Sequence, residues 1–285
     1  LATGTGFWRV FMGEADGVGG TDSEAFFTDA SAVIYPGDYN GDGKTDMFVK
    51  GYGTWRALYL ANSAGNGFNC AFQSDADNVG GTDSESFFTG ADAKLYTGDY
   101  NGDGKTDLFV KGNGAYRALY LATGTGFWRV FMGDADGVGG TDSEAFFTDA
   151  TAAIYPGDYN GDGKTDMFVK GYGTWRALYL ANNTGNGFDC AFQSDADNVG
   201  GTDSEGFFTG AGVKLYTGDY NGDGKTDLFV KGNGTYRALY LANSAGTGFG
   251  RVFLGDADGA GGTDSEAFFT DASAVIYPGD YNGDG

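Results

Sequence analysis

Short runs in which apolar and polar residues alternate, each closed by glycine or an Asn-Gly or Asp-Gly pair, recur along the whole chain and predict β-strands joined by tight turns. Four strands belong to each recurring stretch, represented by residues 127–132, 214–216, 228–231 and 236–241, with Gly232-Asn233-Gly234 as one of the turns. Apolar residues at helical spacing are not sustained anywhere. With 54 glycines, at roughly 0.5–1 kcal/mol for each one inside a helix, an all-helical fold is excluded. The longest apolar run, as at 57–61, is five residues, whereas a membrane span needs ~18.

Repetition organises these strands. The run Gly-Asp-Tyr-Asn-Gly-Asp-Gly begins at Gly37, Gly98, Gly157, Gly218 and Gly279, at intervals of 61, 59, 61 and 61 residues. One array therefore fills 1–285 as units 1–59, 60–120, 121–179, 180–240 and a truncated 241–285. Alternate units are nearly identical. The first matches the third at all but three positions and the second matches the fourth at all but seven, so the true period is a pair of about 120 residues. The predicted fold is all-β, a tandem array of four-stranded repeats of about sixty residues, arranged like β-propeller blades in a closed ring or an open, continuing array. Within it residues 1–12 supply a fourth strand and 273–285 a first strand with its loop, and the absence of an initiator Met and of a leader implies that the natural ends lie outside this sequence. Aromatic residues, 16% of the chain, are expected to form the core between repeats.

Charge sharpens the picture. Seventeen basic and 39 acidic residues give a net −22 with no histidine. Such a field repels nucleic acid and anionic lipid, and the missing imidazoles remove the usual general base and the commonest transition-metal ligand. The acidic residues are not spread over a surface: 14 lie in one repeated loop, 20 in a second, and only five elsewhere.

In the first loop, side-chain oxygens fall at positions 1, 3, 5 and 9, with a backbone carbonyl at position 7 and glycine at the bend. The sets are Asp38, Asn40, Asp42, Lys44 and Asp46; Asp99, Asn101, Asp103, Lys105 and Asp107; Asp158, Asn160, Asp162, Lys164 and Asp166; and Asp219, Asn221, Asp223, Lys225 and Asp227, each lysine contributing its carbonyl. A fifth, incomplete set is Asp280, Asn282 and Asp284. This is the ligand spacing of a Ca²⁺ loop, here between strands, and a divalent ion relieves the repulsion among three close carboxylates. The second loop offers Glu14, Asp16 and Asp22; Asp75, Asp77 and Asp83; Asp134, Asp136 and Asp142; Asp195, Asp197 and Asp203; and Asp256, Asp258 and Asp264. There position 5 has only a carbonyl, as at Val79, so either a second ion or a polar turn fits. Nine ions would bring the net charge from −22 to −4, and four would bring it to −14.

The run Gly-Asp-Tyr-Asn-Gly-Asp-Gly-Lys-Thr-Asp-Leu-Phe-Val at 98–110, followed by an aromatic strand at 116–121 and Gly-Thr-Gly-Phe at 124–127, resembles the FG-GAP/VCBS repeats of integrin α-subunit heads and many bacterial extracellular proteins. The resemblance covers the chain once per unit. It implies propeller blades outside the cell or on its surface, with Ca²⁺ between the first two strands; it does not select a function.

Three functions are weighed. Duplication without divergence favours a structural or adhesive scaffold, self-associating or continuing as a longer array or fibre. The alternative is a calcium-dependent, multivalent lectin in which Trp55, Trp175, Tyr116 or Tyr236 stacks on sugar rings and Arg56 or Arg117 donates to their hydroxyls. An enzyme is not expected, since almost every carboxylate belongs to a repeated loop whereas a catalytic pair is singular. Cys70 and Cys190 occupy equivalent places, aligned with Arg9, Arg129 and Arg251, and are expected as buried free thiols or as links to a neighbouring chain. Asn182 and Asn233 satisfy the N-glycosylation pattern.

Overall fold

The computed structural model describes residues 7–282. Among them sixteen strands form four antiparallel sheets of four, in each of which the strands lie side by side in chain order. The first sheet is β1 (Val33–Gly37), β2 (Asp46–Lys50), β3 (Arg56–Ala61) and β4 (Phe68–Ser74); the second is β5 (Lys94–Gly98), β6 (Asp107–Lys111), β7 (Arg117–Ala122) and β8 (Phe127–Gly133). The third is β9 (Ala153–Gly157), β10 (Asp166–Lys170), β11 (Arg176–Ala181) and β12 (Phe188–Ser194), and the fourth β13 (Lys214–Gly218), β14 (Asp227–Lys231), β15 (Arg237–Ala242) and β16 (Phe249–Gly255). These are the tandem four-stranded repeats that the alternation predicts. The unit boundary at 59/60 falls inside β3, so each sheet takes its fourth strand from the next sequence unit.

The two middle strands of each sheet are covered on both faces. Accordingly β6, Asp-Leu-Phe-Val-Lys, is buried throughout, whereas β8 at the sheet edge is half-exposed. The register slips by one residue between the third and fourth strands: Leu119 faces Phe131 but Tyr120 faces Arg129, so Val130 is an extra, bulged residue. The same slip recurs in all four sheets.

The chain divides into two compact parts, residues 1–134 and 135–285. In the first part, Tyr39 of the β1–β2 connection and Phe48 of β2 meet Phe88, in the segment before β5, and Phe127 of β8, with edge-to-face rings 5.5–6.2 Å apart. The second part repeats the cluster with Tyr159, Phe168, Phe208 and Phe249.

Consecutive residues of the connecting segment are gripped by different sheets. Fully buried Arg56 of β3 donates to Thr82 Oγ1 at 2.7 Å and to the carbonyls of Thr54, Ala76 and Thr82 at 2.7–2.9 Å. The neighbouring Asp83 accepts instead from Tyr120 of β7 and from Arg129 of β8 at 2.9–3.0 Å. Gly81 must be glycine, because a Cβ there would lie 1.8 Å from the Phe127 carbonyl oxygen.

Several expectations are corrected. Five one-turn helices, α1 (Ala25–Thr28), α2 (Ser86–Thr89), α3 (Ala145–Thr148), α4 (Gly206–Thr209) and α5 (Ala267–Thr270), interrupt the β pattern. They are too short to show helical periodicity, and α2–α4 each bury a pair of phenylalanines. Of the expected terminal strands, residues 8–13 and 274–280 form none beyond a single bridge at Phe7, and residues 1–6 and 283–285 lie outside the described residues. Cys70 and Cys190 are free but exposed, on the outer strands β4 and β12, not buried. No helix among the described residues is long and apolar enough to cross a membrane.

Candidate metal centre

Each β1–β2-type connection is built on the first aspartate of its loop. In the loop that opens with Asp38, one carboxylate oxygen accepts from the N–H groups of Gly41 and Asp42, at 2.7 and 3.1 Å, and the other from Gly43 at 2.8 Å. Asp99, Asp158 and Asp219 do the same within 0.1 Å. Gly41 and Gly43 take φ of 75° and 79°, which closes the bend. Asn40, Asn101, Asn160 and Asn221 each accept from the N–H two residues on, at 2.8–2.9 Å. The turn of each loop is thereby shaped by its own acceptors.

The last aspartate is different. Asp46, Asp107, Asp166 and Asp227 open the second strand of each sheet and are wholly buried. One oxygen of Asp107 accepts from Tyr100 N at 3.0 Å and the other from Ala122 N at 2.7 Å, joining the loop to the end of β7. Burial, assisted by the charges of Asp103 and Asp99, pushes Asp107 up to about 7, and Asp166 is raised to about 7 in the same way. Asp46 and Asp227 are also raised, chiefly by burial.

The loop's own cation, the lysine at position 7, sits on the carboxylate at position 5. The ammonium groups of Lys44, Lys105, Lys164 and Lys225 fold back to Asp42, Asp103, Asp162 and Asp223 at 2.7, 2.9, 3.0 and 3.3 Å. Hydrogen bonding by Lys44 holds the Asp42 carboxyl below its ordinary range. As the side chains stand, no group of three carboxylate or thiol residues among those described is gathered closely enough to hold an ion. The donor set nevertheless fits one: every donor is a hard oxygen, three carboxylates act on one another electrostatically, and a lysine ammonium already sits where positive charge is wanted. Binding requires the position-5 carboxylate to exchange its lysine for the ion. In the fifth set Asp280 and Asn282 are exposed, and Asp284 lies outside the described residues.

The second loop does not assemble a comparable set. Asp16, Asp77, Asp136, Asp197 and Asp258 each accept from the backbone N–H of the serine seven residues on, at 2.8–3.0 Å. The residues at position 9 turn the other way, into the sheet that follows: Asp83 to Tyr120 and Arg129, Asp203 to Tyr240 and Arg251, Asp142 to Tyr179, and Asp22 to Gln73. Asp264 accepts from Glu266 N instead. Asp75, Asp134, Asp195, Asp256 and Glu14 stay exposed at the loop entrance. In four of the five copies the ninth position thus has a partner 37–51 residues away, outside the loop.

The expected sugar platform also changes. Arg56 and Arg117 are fully buried and have no exposed donor to offer a sugar. Trp55 and Trp175 stack on Phe26 and Phe146 at 5.4 and 5.2 Å, and Tyr116 and Tyr236 lie on Phe87 and Phe207 at 5.6 and 5.7 Å, which takes one face of each ring. Tyr52, which the sequence does not single out, is 61% exposed beside a cleft of about 500 Å³ lined by Ser31, Lys50, Ser84 and Ser86. The Asn233 amide donates to Gly206 O at 3.1 Å, and Asn182 shares its side chain with Thr184 and Asn186.

A family model described as FG-GAP-like repeat matches residues 38–110 and 158–230, together about half of the chain. Among solved structures, an Agrocybe aegerita lectin that recognises non-reducing terminal N-acetylglucosamine is similar with a TM-score of 0.48 and 19% identity, over 79% of this chain and 52% of the lectin. The Pseudomonas aeruginosa periplasmic gluconolactonase PpgL is similar with a TM-score of 0.47 and 12% identity, over 87% of this chain and 61% of that one. The chain thus spans less than two thirds of either protein. No curated protein matches it.

Proposed function

The chain belongs to the FG-GAP-like repeat family, and on that premise we propose that it is a non-enzymatic repeat scaffold, stabilised by calcium outside the cell and extended by self-association or by further repeats. One observation carries this reading: a wholly buried, backbone-tied aspartate recurs at the same point of four loops, beside two other carboxylates, with no cation in direct contact. Bound Ca²⁺ would supply the missing positive charge. The residues to hold it are the four loop sets beginning at Asp38, Asp99, Asp158 and Asp219, with the lysine carbonyls at position 7.

The remaining work is done by the chain. Asp38 and its equivalents shape the turn, and Asp46 and its equivalents fasten the loop to the third strand through Ala61, Ala122, Ala181 and Ala242. A site whose position-5 carboxylate is exposed and must give up a lysine suits the ~millimolar calcium of an extracellular setting. The experiment is calorimetric titration with Ca²⁺ together with melting in calcium and in excess chelator. Uptake of four ions and a marked fall of Tm on chelation are expected; no uptake and superimposable melting curves overturn the reading. A second reading, a multivalent glycan binder, is favoured by the exposed Tyr52 ring over its hydroxyl-lined cleft; a glycan array silent in calcium removes it.

A further inference from the structure

The loops within each compact part touch one another. Thr106, at position 8 of the loop that opens with Asp99, donates its backbone N–H to the carbonyl of Asp38 at 2.7 Å, while its hydroxyl oxygen accepts from Asp38 N at 2.9 Å. Both backbone groups of the first ligand of one loop are therefore held by a single residue of the next. Thr106 itself stands between two ligands of its own loop, the Lys105 carbonyl and the Asp107 carboxylate. The fit is close on both sides: a Cβ on Gly37 would lie 2.5–2.8 Å from the Thr106 side chain, and one on Gly41 would lie 3.3 Å from Lys105 Cγ. In the second compact part Thr226 N donates to Asp158 O at 2.6 Å, Gly157 faces Thr226, and Gly161 faces Lys225 Cγ at the same 3.3 Å.

At Thr106 the two-point clasp fixes orientation as well as distance; at Thr226 the N–H bond to Asp158 and the close packing of the side chain on Gly157 make the corresponding hold. Ordering residues 105–107 around an ion orders the backbone of Asp38, and ordering Asp38 steadies 105–107 in return. A second ion then meets a loop whose ordering entropy has already been spent, which is positive coupling without any change of fold. We propose that Thr106 and Thr226 are positioning residues that couple the two loops of each part, so that cations enter in cooperative pairs. This deepens the calcium reading and rests on it.

The test is Ca²⁺ titration of the full chain by calorimetry, with Tb³⁺ luminescence as a second probe. The wild type is expected to take up four ions with a Hill coefficient above 1, the second ion of each pair binding about fivefold more tightly than the first. Thr106→Val removes the accepting hydroxyl of the first clasp and Thr226→Val the hydroxyl that lies against Gly157 in the second; together they should keep four ions and bring the Hill coefficient to 1. Thr106→Ser with Thr226→Ser restores the acceptor and should restore the wild-type curve. Should the valine variant fail to fold, Gly37→Ala with Gly157→Ala displaces the same threonines from the opposite side and must give the same loss. Four ions bound independently by the wild type, or cooperativity unchanged in the valine or alanine variant, overturns the coupling alone. No uptake at all overturns the coupling together with the reading beneath it.

Discussion

Replacing Asp107 with asparagine should change the sign of its effect on stability according to whether calcium is present. The substitution keeps the side-chain shape but leaves one acceptor oxygen where two N–H groups, of Tyr100 and Ala122, now find one each. Losing a hydrogen bond to a charged group costs about 1.5–3 kcal/mol. Against that, Asp107 is raised from 3.8 to about 7 in the folded chain, so at pH 8 its ionised form opposes folding by about 4 kcal/mol, which asparagine avoids. In chelator the variant should therefore be more stable than the wild type by roughly 1–2.5 kcal/mol. At calcium a thousandfold above Kd, an intact site contributes about 4.1 kcal/mol that the variant forfeits, leaving it less stable by roughly 2–3 kcal/mol. Urea denaturation at pH 8, followed by tyrosine and tryptophan fluorescence in EGTA and in calcium, reads both arms. A shift of the same sign and size in the two buffers would mean that Asp107 is a structural residue only, and the electrostatic account of the loop would be refuted.

Two further outcomes follow from the same geometry. In chelator, the urea midpoint of the wild type should fall as pH rises from about 4 to about 7: Asp107 and Asp166 hold their protons in the folded state up to about 7 but release them near 3.8 once unfolded, so protonation favours the native chain and that stability is lost across this window. A midpoint that climbs over the same range contradicts the buried-carboxylate assignment. Cys190→Arg places at β12 the residue that its counterpart Arg251 provides on β16, where it pairs with Asp203 at 3.1 Å. With Asp142 waiting on Tyr179 at 2.6 Å, the variant should gain about 0.2–1 kcal/mol, a gain that Asp142→Asn should abolish in a double-mutant cycle.

The period, the four strands per repeat and the oxygen-bearing positions of the first loop were legible from the chain alone. They depend on spacing within about ten residues, where turn chemistry and strand alternation act locally. Asp38 could be read as the organiser of its own loop because all three of its N–H partners lie within five residues. The second acidic loop looked similar by the same local rule. Its ninth residue was taken instead by a tyrosine 37 positions further on in three of the connections, a competition that no window of sequence displays. Likewise Arg56 reads as a surface cation beside a tryptophan until the fold wraps residues 76–82 around it. The patterns at 8–13 and 274–280 read as strands, yet no strand forms there. Tertiary packing alone decided which polar groups became internal fasteners and which adjacent loops shared a clasp, because those contacts join residues dozens of positions apart whose meeting depends on how whole sheets stack.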